Sequence, residues 1–165
     1  MRIDIFSDVI CPWCFIGKRR LERALRERPQ EDLSICWRAF QLNPDMPIQG
    51  MPRHLYVESK FGGSERATQI YETIRQNGER EGIDFRFDRI QQTPNTVRAH
   101  RLIRFATDRG LGGALVERLF TGYFTEGVDL GDMDRLADLA EESGLSRGEA
   151  AAFLESNDGL ADVLA

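Results

Sequence analysis

Two cysteines, Cys11 and Cys14, stand two residues apart in the segment Ser7-Asp8-Val9-Ile10-Cys11-Pro12-Trp13-Cys14. That spacing suits thiol–disulfide exchange if the pair opens a helix. Both sulfurs then lie on the first turn, where free backbone N–H groups and the positive end of the helix dipole favour thiolate over thiol. Thiolate is the attacking species, so Cys11 is the expected nucleophile and Cys14, about one turn along and more buried, the resolving thiol. Pro12 suits the first helical position because its missing N–H would be unpaired there anyway. Trp13 adds an apolar face beside the outer sulfur, and Pro12 and Trp13 are the expected tuners of the pair's redox potential.

The pair is also half of a zinc site, which Cys36, His54 or His100 would have to complete. A second close-spaced pair of ligands is missing from the sequence, so no metal is assigned. Cys36 lies in an apolar stretch and reads as a small buried residue. A structural disulfide is rare in a reducing compartment.

The elements around the pair are legible from periodicity. Residues 2–7 alternate apolar and polar, as a strand does. A helical stretch from Pro12 to about Arg28 follows, with Leu21, Ala24 and Leu25 on one face, and Pro29 stops it. Residues 33–40 are rich in aromatic and β-branched side chains and predict a second strand. Strand, helix and strand within 40 residues predict a βαβ unit with parallel strands. Residues 43–63, with Pro44, Pro47, Pro52, Gly50, Gly62 and Gly63, read as a turn-rich surface segment. Helical stripes follow at Ala67, Ile70, Tyr71 and Ile74, at Ala99, Leu102, Ile103 and Ala106, at Leu115, Leu119 and Tyr123, and at Met133, Leu136, Ala137 and Ala140. Ser146-Arg147-Gly148-Glu149 reads as a capping box opening a helix that carries Phe153 and Leu154. The division is therefore 1–42, a βαβ unit, and 43–165, a connecting segment and a helical region.

The chain is of one-domain size, with 165 residues, 41% hydrophobic and 30% charged, and a net charge of −5. That is an ordinary globular composition. It carries no apolar run of membrane-span length, about 20 residues. The arginines Arg19, Arg20, Arg23, Arg26 and Arg28 interleave with Glu22 and Glu27 and read as a solvated helix face rather than a nucleic-acid footprint. Neither membrane nor nucleic acid is an expected partner. The start, Met1-Arg2-Ile3-Asp4, lacks the pattern of a secretory signal, which makes the cytoplasm the default address.

Three separated motifs resemble one family in the right order. They are Ser7 to Gly17 around the cysteines, Trp37-Arg38-Ala39-Phe40-Gln41-Leu42-Asn43-Pro44, and Asn95-Thr96-Val97-Arg98-Ala99-His100-Arg101. Together they resemble the DsbA-like, FrnE-type thiol–disulfide oxidoreductases, relatives of 2-hydroxychromene-2-carboxylate isomerases and kappa-class glutathione transferases. The resemblance implies an α/β, thioredoxin-like fold with a helical insertion after the second strand. It implies Cys11 and Cys14 as catalytic residues and places Asn43, Pro44, Asn95 and His100 near substrate. It also implies thiol or disulfide substrates, protein or glutathione, with glutathione as a co-substrate and no resident cofactor. In the glutathione-dependent relatives a serine commonly stands where Cys11 is, so the intact Cys-Pro-Trp-Cys favours dithiol chemistry. A glutathione-dependent isomerase or transferase, with Cys11 stabilising the glutathione thiolate, is the alternative enzyme. A thiol sensor or metal-binding module is the alternative outside catalysis.

A thioredoxin-like domain has a second half, a β-hairpin and helix preceded by a cis-proline. Nothing after Pro94 is a proline and 95–165 reads as helical throughout, so that half is expected to be missing. The two amino-terminal strands are then expected to lack neighbours and to expose Ile3, Ile5, Ile35 and Trp37.

Overall fold

The computed structural model describes residues 1–164. Strand β1, Arg2–Ser7, pairs in parallel with β2, Ser34–Ala39, in a register running from Arg2 opposite Ser34 to Ser7 opposite Ala39. Helix α1, Pro12–Glu27, is the crossover between them, which is the βαβ unit the sequence predicts. Alternation decides the faces. Arg2, Asp4 and Phe6 of β1 point to the exposed side, where the Asp4 carboxylate accepts hydrogen bonds from Arg2 and Arg38, both at 2.8 Å.

Helices make up most of the remainder: α2 (Arg53–Phe61), α3 (Ser64–Arg80), α4 (Val97–Thr107), α5 (Gly112–Thr121), α6 (Met133–Glu142), α7 (Arg147–Glu155) and α8 (Leu160–Leu164). A π-helical turn, Gly122–Glu126, extends α5. Helices α4 and α5 pack on β2, and α6 and α7 pack on each other. The core takes the stripes read from the sequence: Leu102, Leu115, Leu119 and Leu136 are fully buried. The Ser146 hydroxyl accepts from the Glu149 N–H, as its capping pattern requires.

Helix α1 docks by its first turn. Phe15 and Ile16 are buried, and the Phe15 ring stacks on Phe120 at 5.0 Å and meets Phe85 edge-on at 6.0 Å. The expected Leu21, Ala24 and Leu25 face is weaker than its periodicity suggests, because Leu21 and Leu25 are half-buried and Ala24 is exposed. Ion pairs dock the rest of the helix. Lys18, itself buried, reaches Glu117 of α5 at 2.6 Å, and Arg20 and Arg23 both pair with Glu81 just beyond α3. Arg19, Arg20 and Arg23 of that solvated face thus also reach across to neighbouring elements.

A second difference falls in the turn-rich segment. Its latter part forms α2, with Pro52 before the first turn and Gly62 in the left-handed region closing the last, φ +71°. Proline and glycine here mark the two ends of a helix rather than a continuous loop. Just before it, β3 (Met51–Pro52) forms a two-residue antiparallel pair with β4, Gln92–Thr93. Gly50 turns the chain into that pair with φ +71°, and a Cβ there would lie 2.6 Å from the Thr93 carbonyl oxygen.

Among the described residues the parallel sheet holds β1 and β2 alone, and no peptide bond is cis. Its most exposed apolar side chains are Phe6 at 69% and Ile35 at 37%, and Phe40, directly after β2, is 52% exposed. Ile3, Ile5 and Trp37 are half-buried, because the face they share is partly covered.

Candidate active site

The cysteines sit where β1 hands the chain to α1. Cys11 is the N-cap residue, extended at φ −93° and ψ 109°, and its N–H bonds back to the Asp8 carbonyl at 3.0 Å. Its own carbonyl accepts from the N–H groups of Cys14 and Phe15 at 3.1 and 3.3 Å, while its sulfur accepts from the Cys14 N–H at 3.4 Å. A cysteine sulfur thus replaces the side-chain oxygen that usually caps a helix. Pro12 occupies the first turn without an orphan donor. Trp13 is half exposed beside it.

Both cysteines are unpaired and half-buried. Cys14 packs against the hydrophobic core and lines a mostly apolar cavity of about 280 Å³ with Ile5, Phe6, Leu21 and Trp37. The two thiols act on each other's ionisation. Hydrogen bonding from the Cys11 thiol is the largest influence lowering Cys14 to about 6, and the Asp8 main chain and Ser7 hydroxyl act in the same direction. Burial and the nearby Asp8 carboxylate oppose them. Cys11 is pushed up, first by the same hydrogen bond and then by burial, although the main chains of Cys14 and Trp13 pull it down. The sulfurs therefore share one proton, and the first proton the pair loses leaves far below an ordinary thiol. The sequence makes Cys11 the expected nucleophile, and in the fold the Ser7 hydroxyl and the Asp8 main chain also favour thiolate on Cys14.

Asp8 is fully buried behind the pair. One carboxylate oxygen accepts from the Leu42 N–H at 2.8 Å, and the other lies 3.1 Å from Nε2 of His100, whose side chain is also buried. His100 thus reaches the cysteine turn through Asp8. Asn43 and Pro44 follow Leu42 and line a cavity of about 420 Å³ with Tyr56 and Lys60. There the Asn43 amide donates to the Tyr56 hydroxyl at 3.3 Å. Asn95 is buried and holds backbone: its amide donates to the Met46 carbonyl at 2.7 Å and its oxygen accepts from the Val97 N–H at 3.0 Å. It ties the 43–50 segment to the start of α4. The sequence assigns Asp8 no role, because a lone aspartate before the cysteines carries no signal of its distant partner.

Among the described residues no three of the histidine, cysteine, aspartate and glutamate side chains gather as metal ligands, and none of the helices is long and apolar enough to cross a membrane.

A parallel βαβ unit with a Cys-x-x-Cys at its corner, followed by a helical insertion, is the arrangement of a DsbA-like thioredoxin fold. The DSBA-like thioredoxin domain matches residues 2–163, and the chain belongs to that family. It is 28% identical over 156 residues to YwbO of Bacillus subtilis (strain 168), covering 94% of this chain and 72% of YwbO. The structure of the probable DsbA oxidoreductase SCO1869 from Streptomyces coelicolor superposes with a TM-score of 0.90 at 31% identity, covering 99% of this chain and 72% of that one. The cytosolic disulfide reductase DsbM of Pseudomonas aeruginosa shares the fold, with a TM-score of 0.68 at 18% identity and coverage of 99% and 75%.

Proposed function

We propose that the chain is a protein disulfide oxidoreductase working through the Cys11–Cys14 pair. One observation carries the reading: two free cysteines stand at the N-terminus of α1, with the Cys14 N–H directed at the Cys11 sulfur. Cys11 caps the helix while Cys14 packs against the core, so Cys11 is the sulfur that meets substrate.

As Cys11 attacks a substrate disulfide, the shared proton passes to Cys14. A bond forms between Cys11 and one substrate sulfur, and the other leaves as thiolate. That thiolate takes the Cys14 proton, and the Cys14 thiolate then attacks the Cys11 sulfur. The second substrate thiolate leaves, the substrate disulfide is reduced and the Cys11–Cys14 disulfide forms. Thiols such as glutathione reverse the sequence and restore the pair, and no resident cofactor is needed. Asn43, Pro44, Asn95 and His100 shape the surroundings, while Pro12 and Trp13 tune the potential. DsbM, a cytosolic reductase that has also been seen with GSH, supports glutathione as co-substrate and a cytoplasmic setting.

The test is a redox titration of the full chain against glutathione, read by alkylation and mass spectrometry. A reversible disulfide between Cys11 and Cys14 is expected. No disulfide under oxidising buffer, or one that recruits Cys36 instead, would overturn the reading. A conjugating activity that survives Cys14→Ser would point to the glutathione-dependent transferase chemistry instead.

A further inference from the structure

We propose that the cavity between α2, α3 and the 3₁₀ turn Phe87–Arg89 is a second binding site, separate from the cysteines, which takes a small aromatic monocarboxylate on Arg53. The inference goes beyond the oxidoreductase reading and does not depend on it.

Arg53 carries it. The residue opens α2 and is half-buried. Its Nη2 donates to the Tyr71 hydroxyl at 2.6 Å, and its Nη1 donates to the Tyr123 and Thr93 hydroxyls, each at 3.4 Å. The guanidinium also lies over the Tyr56 and Tyr71 rings, 5.4 and 5.2 Å from their centres. These partners come from α2, α3, β4 and the π-helical turn after α5, so tertiary packing fixes where the cation stands. None of them neutralises it. Burial pushes the Tyr71 and Tyr123 phenols up, which keeps both uncharged, while a guanidinium keeps its proton throughout. Arg75, in the same lining, is paired with Glu72 and Glu79. Among the described residues Arg53 has no carboxylate within ion-pair distance, and its Nε–H is unused. A guanidinium held in place with a donor to spare is suited to a carboxylate, which it binds by charge-assisted hydrogen bonds.

The cavity supplies the rest. It holds about 450 Å³, within the range of small-molecule sites. Val57, Phe85, Phe87 and the ring of Tyr71 give it apolar walls beside Arg53. Phe85 and Phe87 stack at 5.1 Å with planes 5° from parallel, and Tyr71 lies 4.5 Å from Phe87. A flat ring packs well against such a stack. Glu72 and Asp88, both exposed, line the same space. Their charges repel a second negative group, so a single carboxylate is favoured over a phosphate or a dicarboxylate. Neither Cys11 nor Cys14 lines this cavity, and it shares no lining residue with the one around Asn43 and Pro44.

Titration calorimetry of the full reduced chain with 2-naphthoate tests the site. Binding is expected with a dissociation constant of about 1 mM or tighter. 2-Naphthamide, the same body without the charge, should bind at least about tenfold more weakly, the loss of a hydrogen bond between charged groups. 2-Naphthyl phosphate should also bind more weakly than the carboxylate. Arg53→Gln should weaken 2-naphthoate by a similar factor, and Val57→Trp should abolish binding by filling the cavity while keeping the cation. Circular dichroism checks that each variant folds; if neither does, the ligand series on the wild-type chain decides alone. Alkylating Cys11 and Cys14 should leave the affinity unchanged. Absent binding at millimolar 2-naphthoate, equal binding of the amide, tighter binding of the phosphate, full affinity in a folded Arg53→Gln or Val57→Trp, or affinity lost on alkylation would each overturn the proposal and leave the oxidoreductase reading intact. A chain that binds 2-naphthoate in this way yet never forms the Cys11–Cys14 disulfide would do the reverse.

Discussion

The backbone N–H of Cys14 lies 3.4 Å from the sulfur of Cys11, in the place where a helix N-cap oxygen would normally accept. The sulfur that caps the helix lies at the N-terminal end of α1, while the other belongs to a residue packed against the core.

From this relationship Cys11→Ser should reduce disulfide exchange to background, since the capping hydroxyl preserves the helix but cannot form the mixed disulfide. Cys14→Ser should instead accumulate Cys11 mixed disulfides with substrate, visible as adducts by non-reducing mass spectrometry. Trapping on Cys14 in the Cys11→Ser chain would reverse the two roles.

The pH response follows from the shared proton. Cys14 is lowered to about 6, first by the hydrogen bond from Cys11, and Cys11 is raised, first by the same bond. A depressed folded pKa stabilises above the unfolded value and loses that contribution as pH falls through the folded one. The dithiol chain should therefore gain stability as pH rises from about 6 toward the ordinary thiol range. It should lose part of the gain above that range, where an unfolded Cys11 ionises and the folded one does not. The disulfide chain should show neither trend. Urea midpoints of both forms across this window check the difference; parallel curves would remove the shared proton.

Phe15 is the apolar anchor directly after the pair. It is 2% exposed, stacked on Phe120 and edge-on to Phe85. Phe15→Ala should cost about 3–5 kcal/mol of unfolding free energy, the range for a buried phenylalanine truncated in a packed core. Phe15→Leu should cost less. Equilibrium denaturation of the three chains tests the order, and a Phe15→Ala chain within about 1 kcal/mol of wild type would show that α1 is held mainly by its ion pairs.

Gly50 faces a different obstacle. Its φ of +71° and the 2.6 Å from a built Cβ to the Thr93 oxygen leave no room for a side chain. Gly50→Ala should destabilise by about 1–3 kcal/mol and slow exchange with protein substrates by loosening the 43–50 segment beside Asn43 and Pro44. The thiol alkylation profile should remain that of wild type. A shifted profile would mean that this segment reaches the cysteines more directly.

What the sequence determined by itself is local. The β1–α1 corner, the cap at Cys11, Pro12 in the first turn, the Ser146 cap and the burial of Leu102, Leu119 and Leu136 all follow from spacings of one to four residues, where backbone geometry alone decides which groups meet. Helix α2 was hidden because it is only nine residues long and its proline and glycine boundaries look like loop residues when no strong stripe lies between them. Tertiary structure decided which distant groups share a site. Asp8 meets His100 across 92 residues and Lys18 meets Glu117 across 99. Neither pair leaves a periodic trace, because each is set by how helices pack after they form. The surroundings of the cysteine pair belong there too: spacing brings the sulfurs together, but their mutual contact, burial, and Ser7 and Asp8 at the Cys14 sulfur shift their ionisation.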